Sequence, residues 1–176
     1  AGNPRYRLVH EEALLSHPAP AVIDLDGLHA LVGVLRDRGF CVVGPTRREG
    51  AIVYDEITSA DELPAGCTEV QEAATYRLER RDDEARFGYP VGPHSWKRWL
   101  LPARVRLWQA RRDDSGRTTF VEEAPPARPF AFIGVRSCDL HAIAIQDRVF
   151  LEGAYVDRDY AGRRESAFLV AVNCGV

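Results

Sequence analysis

Cys138 stands in the run IGVRSCDLHAI, residues 133–143, with Arg136, Asp139 and His141 as its polar neighbours. An apolar, strand-like run that ends in an arginine, a thiol and a carboxylate, and then turns helical, can do more than change direction. A thiolate there is a ligand for a metal or an iron–sulfur cluster, or a redox group. Arg136 and a helix N-terminus both favour the thiolate. Asp139 opposes it, unless as a helix cap it turns its oxygens toward backbone amides. The plainer reading is a small buried hydrophobe at a strand–helix junction, a place cysteine fills readily.

A second thiol, Cys174, follows Asn173 just past the apolar run AFLVAV, residues 167–172. The segment FAFIGV (130–135), a helical stretch from Asp139 to Phe150 with Ile143, Val149 and Phe150 on one face, and AFLVAV together form a strand–helix–strand pattern. Two strands apolar throughout predict a parallel βαβ unit covered on both faces. Ligand sites in such units gather at the carboxyl edge of the strands. If the two strands are neighbours, Cys138 and Cys174 share that edge.

The other two cysteines read differently. Cys41 lies inside the strand-like FCVVGP and is expected in the core, while Cys67 follows Pro-Ala-Gly in a loop and is expected as an exposed thiol. No CxxC pair occurs, so neither a zinc ribbon nor a ferredoxin loop is complete. Four cysteines in 176 residues are too sparse for a disulfide scaffold and point to free thiols in a reducing compartment.

The remaining polar motifs are less specific. His141 reads as a surface histidine. His94 is better placed, between Pro93 and Ser95, but pairs with no nucleophile, and PHSWK is not a nucleophile elbow. Gly88, Gly92 and Lys97 do not form a phosphate loop. Trp96 and Trp99, three apart, face one side of a short helix, with Lys97 and Arg98 on the other. That loop is either an aromatic-anchored structural element or a surface for a partner subunit. Arg47 and Arg48 read as solvent-facing charges at a turn. No set of catalytic residues can be assembled.

The elements that must position these groups follow from periodicity. AVIDLDGLHALVGVLRDRGF, from Ala21, predicts a helix capped by Asp24 or Asp26, with Leu28, Leu31, Val32 and Leu35 on one face and a stop at Gly39. Residues 40–45 and 51–57 predict a hairpin across the basic turn 46–50. Residues 76–81 begin strand-like, 87–102 form an ordered loop entering a short helix capped by Ser95, and 104–112 pair with 118–123. Pro125, Pro126 and Pro129 mark a modest boundary dividing 1–124 from 125–176. The fold class is therefore α/β or α+β: a mixed sheet with N-terminal hairpins and a C-terminal parallel βαβ unit.

With 23 Lys and Arg against 26 Asp and Glu, the net charge of −3 does not favour a polyanion partner, so nucleic acid is not expected. No apolar run approaches the ~20 residues of a membrane span, and no secretory leader is legible, so a cytoplasmic location is expected. The chain has no methionine and stops just past a strand-like run, which suggests that the natural protein continues.

Four stretches carry a resemblance. GPTRREGAIVYDEI (44–57), YRLERRDDEARFGYPVGPHSWKRWLLP (76–102), GVRSCDLHAIAIQDRVF (134–150) and VNC (172–174) resemble the β-type iron–sulfur subunits of soluble nickel–iron hydrogenases. That family includes the A subunit of anaerobic sulfite reductase, and the order and spacing fit nearly the whole chain. The resemblance implies that residues 1–176 are the N-terminal domain of a longer dicluster protein whose ferredoxin-type domain lies beyond Val176. It implies Cys138 and Cys174 as ligands of a [4Fe-4S] cluster completed by later cysteines, with Arg136 and Asn173 in the surrounding shell. A cluster is then incomplete or absent in this chain alone. Electron transfer within an oxidoreductase complex is the implied function, with a partner subunit carrying flavin, nicotinamide or the catalytic centre. The rival reading is a docking scaffold that binds partner subunits through the tryptophan–lysine loop.

Overall fold

The computed structural model describes residues 21–90, 94–122 and 128–173. Its centre is a four-stranded sheet of mixed direction, built from β1 (Cys41–Arg48), β2 (Ala51–Glu56), β7 (Phe130–Val135) and β8 (Phe168–Ala171), in the order β2-β1-β7-β8. β1 and β2 form the expected hairpin, closed by Glu49 and Gly50, both at positive φ (49° and 79°). Two such residues make the turn whose twist matches that of the strands, and glycine takes the second position without strain. β7 pairs parallel to β1 on one side and to β8 on the other. The main sheet thus takes strands from both sides of the proline segment.

Alternation along the strands sorts side chains into two cores. On one face Cys41, Val43, Tyr54, Phe132 and Val135 pack against Trp96, Leu100, Ile143 and Tyr160. On the other, Val42, Ala131 and Ile133 meet Val32 and Leu35 of α1 (Leu25–Asp37), together with Ile57, Ala60 and Leu63. Each fully buried aliphatic or aromatic side chain contributes roughly 1.5–3 kcal/mol. α1 starts where Asp24 accepts a hydrogen bond from the Gly27 amide (2.9 Å) and stops before Gly39, both as expected.

The predicted βαβ unit is present, with α3 (Ser137–Leu151) and a further helix, α4 (Arg158–Glu165), crossing from β7 to β8. Asp147 on α3 joins the two helices, accepting from the Tyr160 hydroxyl (2.7 Å) and the Arg164 guanidinium (3.1 Å). Two expectations for this unit need correction. β8 is apolar but forms the sheet edge, so Phe168 is 46 % exposed instead of covered on both faces. Val149 faces solvent: Ile143 and Phe150, seven apart, share the inward side, and Val149 lies about 100° round the helix from Phe150.

Two smaller hairpins complete the structure. β3 (Cys67–Glu72) and β4 (Thr75–Arg80) pack onto β2, where the Tyr76 hydroxyl accepts from the Ile52 amide (3.2 Å) and donates to the buried Glu69 carboxylate. The strand containing Cys67 is a correction, because the residue expected as an exposed loop thiol is 3 % exposed. Its place opposite Arg80 in the ladder turns the thiol into a cluster with Ile52 and Tyr89. β5 (Trp108–Arg112) and β6 (Thr118–Glu122) pair as expected.

Gly134 interrupts β7. The ladder slips between Ile133 and Val135, Gly134 sits at φ +89°, and a Cβ there would come within 2.7 Å of the Phe87 ring. A non-glycine residue would suffer both backbone strain and a collision with an aromatic edge. Gly134→Ala is therefore expected to lower unfolding stability by about 1–3 kcal/mol, read from urea denaturation midpoints at constant m-value. An unchanged midpoint would contradict this packing.

Candidate functional site at the carboxyl edge of the parallel strands

β7 ends at Val135, and Arg136 turns the chain into α3. The side chain of Asp139, in the first turn of the helix, accepts from the Arg136 amide (3.1 Å), while the Arg136 carbonyl accepts from the Leu140 amide (2.9 Å). Asp139 is thus not the residue before the helix but the third within it. It does turn its oxygen toward a backbone amide, and it places negative charge at the positive end of the helix dipole.

Arg136 is 5 % exposed, and its guanidinium donates to the carbonyls of Phe87 (3.0 Å) and Tyr89 while lying over the Tyr89 ring at 5.4 Å. The carbonyl between them, of Gly88, accepts from Arg81 (3.0 Å). Three consecutive carbonyls of one loop are thereby held by two guanidinium groups. The arrangement keeps Phe87 at φ +65°, a conformation costly for an aromatic residue, and seats its ring on Gly134. Arg86 completes the seam by donating to the carbonyls of Ala60 and Leu63 (3.0 Å each). Asp83, gripped by Arg81 at 2.7 and 2.9 Å, has its carboxyl held down to about 2 by that hydrogen bond first.

Beneath this edge lies an aromatic floor. Tyr54 stacks on Trp96 with ring centroids 4.0 Å apart, and Trp96 leans on Phe132 at 4.9 Å. Burial pushes the Tyr54 hydroxyl well above the ordinary tyrosine range; the Asp139 charge adds to the rise and Arg136 opposes it. Trp96 is 1 % exposed, and Trp99 packs edge-on against Phe130. Of the two readings open for this loop, the aromatic-anchored structural element is the one Trp96 fits: both tryptophans face inward and anchor α2 (Lys97–Leu100), with Lys97 and Arg98 outward. The Ser95 hydroxyl accepts from the Lys97 amide (3.2 Å), as its predicted capping role requires.

Cys138 lies in the first turn of α3 and its side chain is exposed. Val135 pairs with Ala171, and the Val172 amide donates to the Val135 carbonyl (2.8 Å), so Asn173 comes to the same edge, exposed like Cys138. Cys174 lies outside the described residues, as do Gly92, Pro93 and the Pro125–Pro126 boundary. Cys41 is buried and its thiol is pushed up to about 11, by burial first and then by the Glu56 carboxylate; burial likewise raises Cys67. Among the described residues no three His, Cys, Asp or Glu side chains form a group able to hold a metal ion, so they do not contain a complete four-thiolate ligand set. What they offer at this edge is one accessible sulfur in the first turn of a helix.

The chain is 27 % identical to sulfhydrogenase 2 subunit beta of Pyrococcus furiosus over 133 residues, which are 76 % of this chain and 31 % of that protein. It is a distant relative of a hydrogenase beta subunit. It spans about a third of that relative's length. No family model matches, and no solved structure matches. No helix among the described residues is long and apolar enough to cross a membrane.

The sequence singled out Cys138, Arg136 and Asp139 but not Phe87 and Tyr89, whose carbonyls hold Arg136. A glycine inside the apolar run FIGV was the available signal, because it marks a bulge or a close approach of another segment. In native protein at pH 8, iodoacetamide should label Cys138 at least roughly tenfold faster than Cys41 or Cys67. Reaction at Cys41 should climb with pH toward about 11, since its raised pKa keeps the reactive thiolate scarce below that value. Peptide mass spectrometry reads both, and equal labelling of the three would contradict the burial pattern.

Proposed function

We propose that this chain is the N-terminal portion of an electron-transfer iron–sulfur subunit of an oxidoreductase complex, and that its carboxyl edge contributes thiolates to a cluster. The observation that carries the reading is the convergence of Cys138 and Asn173 at the ends of two adjacent parallel strands, with Cys174 one peptide unit further on. The distant relation to a hydrogenase beta subunit supports it. Cys138 and Cys174 supply two ligands, and cysteines elsewhere in the longer protein supply the rest. A [4Fe-4S] cluster bound there supplies one-electron chemistry. The chain's own residues keep the edge in place: Arg136 fastens the 87–89 loop beside it, and Asp139 caps the helix whose first turn presents Cys138. Asn173 stands in the surrounding shell. The partner is a subunit that handles flavin, nicotinamide or the catalytic centre.

Iron and acid-labile sulfide per chain, measured anaerobically on the protein extended beyond Val176, test this. Cys138→Ser and Cys174→Ser should each remove about four irons, one [4Fe-4S] cluster, while circular dichroism stays unchanged. Iron content indifferent to both changes would remove the two cysteines from the ligand set.

A second reading, docking of partner subunits, now rests on a different tryptophan. On the β5–β6 hairpin Trp108 and Phe120 meet edge-on at 5.3 Å, yet are 57 % and 67 % exposed. A two-stranded hairpin is marginal in water by itself, and an exposed aromatic pair flanked by Arg111 and Arg112 suits an interface. Trp108→Ser with Phe120→Ser should abolish co-purification with the other subunits and leave iron content unchanged. Assembly that survives the double change would sink this role.

A further inference from the structure

From Ala85 to Arg112 the chain carries seven Lys and Arg residues and no Asp or Glu, although its overall charge is −3. Cations in such a stretch must meet acceptors from elsewhere in the fold or stand open to an anion from outside. Arg86 finds the Ala60 and Leu63 carbonyls. Lys97 and Arg98 find no counter-charge: among the described residues, no carboxylate lies within ion-pair distance of either. Both line a cavity of about 600 Å³, whose walls combine them with His94, Ser95 and the apolar Leu101 and Pro102. No carboxylate is among its described lining residues.

What this set has left to offer is hydrogen-bond donors. Lysine and arginine side chains only donate. The Arg98 guanidinium faces His94 Nδ1 at 3.5 Å, so that nitrogen is the acceptor and the ring proton stands on Nε2. The Ser95 oxygen accepts from the Lys97 amide (3.2 Å), which leaves its hydroxyl proton to give. Arg98 is also held in advance, its guanidinium lying 5.4 Å from the centre of the Trp99 ring, which is itself packed against Phe130. Donors from four side chains suit a phosphate, with three terminal acceptor oxygens and up to two charges, better than a carboxylate with two oxygens and one charge. The planar fork of arginine and the point charge of lysine both serve phosphate oxygens. Leu101 and Pro102 add the apolar surface on which the body of a small ligand rests.

We propose that this cavity binds a small organic phosphate, with its phosphate groups on Lys97, Arg98 and His94 and its carbon skeleton against Leu101 and Pro102. Side chains do the binding, in keeping with the lack of a glycine-rich phosphate loop. The site requires no cluster, and none of its residues belongs to the carboxyl edge.

Isothermal titration calorimetry of the 176-residue chain at low salt, with ADP and with inorganic pyrophosphate as probes, tests this. ADP should bind at a single saturable site, and pyrophosphate more weakly because it has no body to rest on the apolar wall. Lys97→Gln with Arg98→Gln should weaken ADP binding at least roughly tenfold. Both side chains are exposed, so the fold should survive, as circular dichroism checks. Arg111→Gln with Arg112→Gln removes the same charge from the same acid-free stretch, outside the cavity, and should leave ADP affinity unchanged. Binding of neither probe would overturn the proposal. Equal losses in the two double variants would do so too, since the attraction would then be diffuse charge. Pyrophosphate binding as tightly as ADP would overturn it in favour of an inorganic anion. Displacement of ADP by a glutamate-rich peptide at lower concentration than by pyrophosphate would overturn it in favour of an acidic protein partner.

Discussion

The grip of the buried Arg136 guanidinium on the carbonyls of Phe87 and Tyr89 is the interaction on which the rest of the carboxyl edge depends. A buried cation is tolerable only when its donors are satisfied, and backbone carbonyls in a loop need donors for the same reason. Each solves the other's problem. The cost appears as a left-handed Phe87, and the return is an aromatic ring locked onto the bulge at Gly134. Truncating Arg136 would leave loop carbonyls and a strained residue without their tether, a change of the kind that costs well beyond a surface substitution.

The same residue is the hinge between strand and helix. β7 is one of the two inner strands of the sheet, paired to β1 on one side and β8 on the other, so its end is held from both sides. The capping contact between Asp139 and the Arg136 amide then fixes where α3 begins. Cys138 is held between these constraints yet remains exposed, whereas Cys41 and Cys67 are buried and their protons are harder to remove. The fold distinguishes one described thiol from the other two by position alone.

Much of this was legible in the sequence. The α1 face, the β1–β2 hairpin and the parallel pairing of β7 with β8 followed from periodicity, because those segments bury one face or both. The candidate thiol at the end of β7 followed from the same pattern. What was not legible depended on contacts distant in sequence. Cys67 looked like a loop residue because Pro-Ala-Gly precedes it, but pairing with β4 makes it a strand residue turned inward. Trp96 could be read as a structural anchor or as an interface residue, because basic residues flank it, and only the placement of Tyr54 and Phe132 shows it to be core. β8 read as fully covered because every residue is apolar, although sheet order makes it an edge. Phe87 and Tyr89 enter the site through their carbonyls, which side-chain identity does not encode.

The most direct test of the proposal that this edge holds iron is crystallographic. Anomalous diffraction at the iron edge, from anaerobically prepared crystals of the protein extended beyond Val176, locates each iron without reference to the chain. The account predicts an iron at bonding distance from the Cys138 sulfur, with Arg136 still held on the Phe87 carbonyl. Iron present elsewhere in the protein, with the Cys138 sulfur free in solvent, would contradict it.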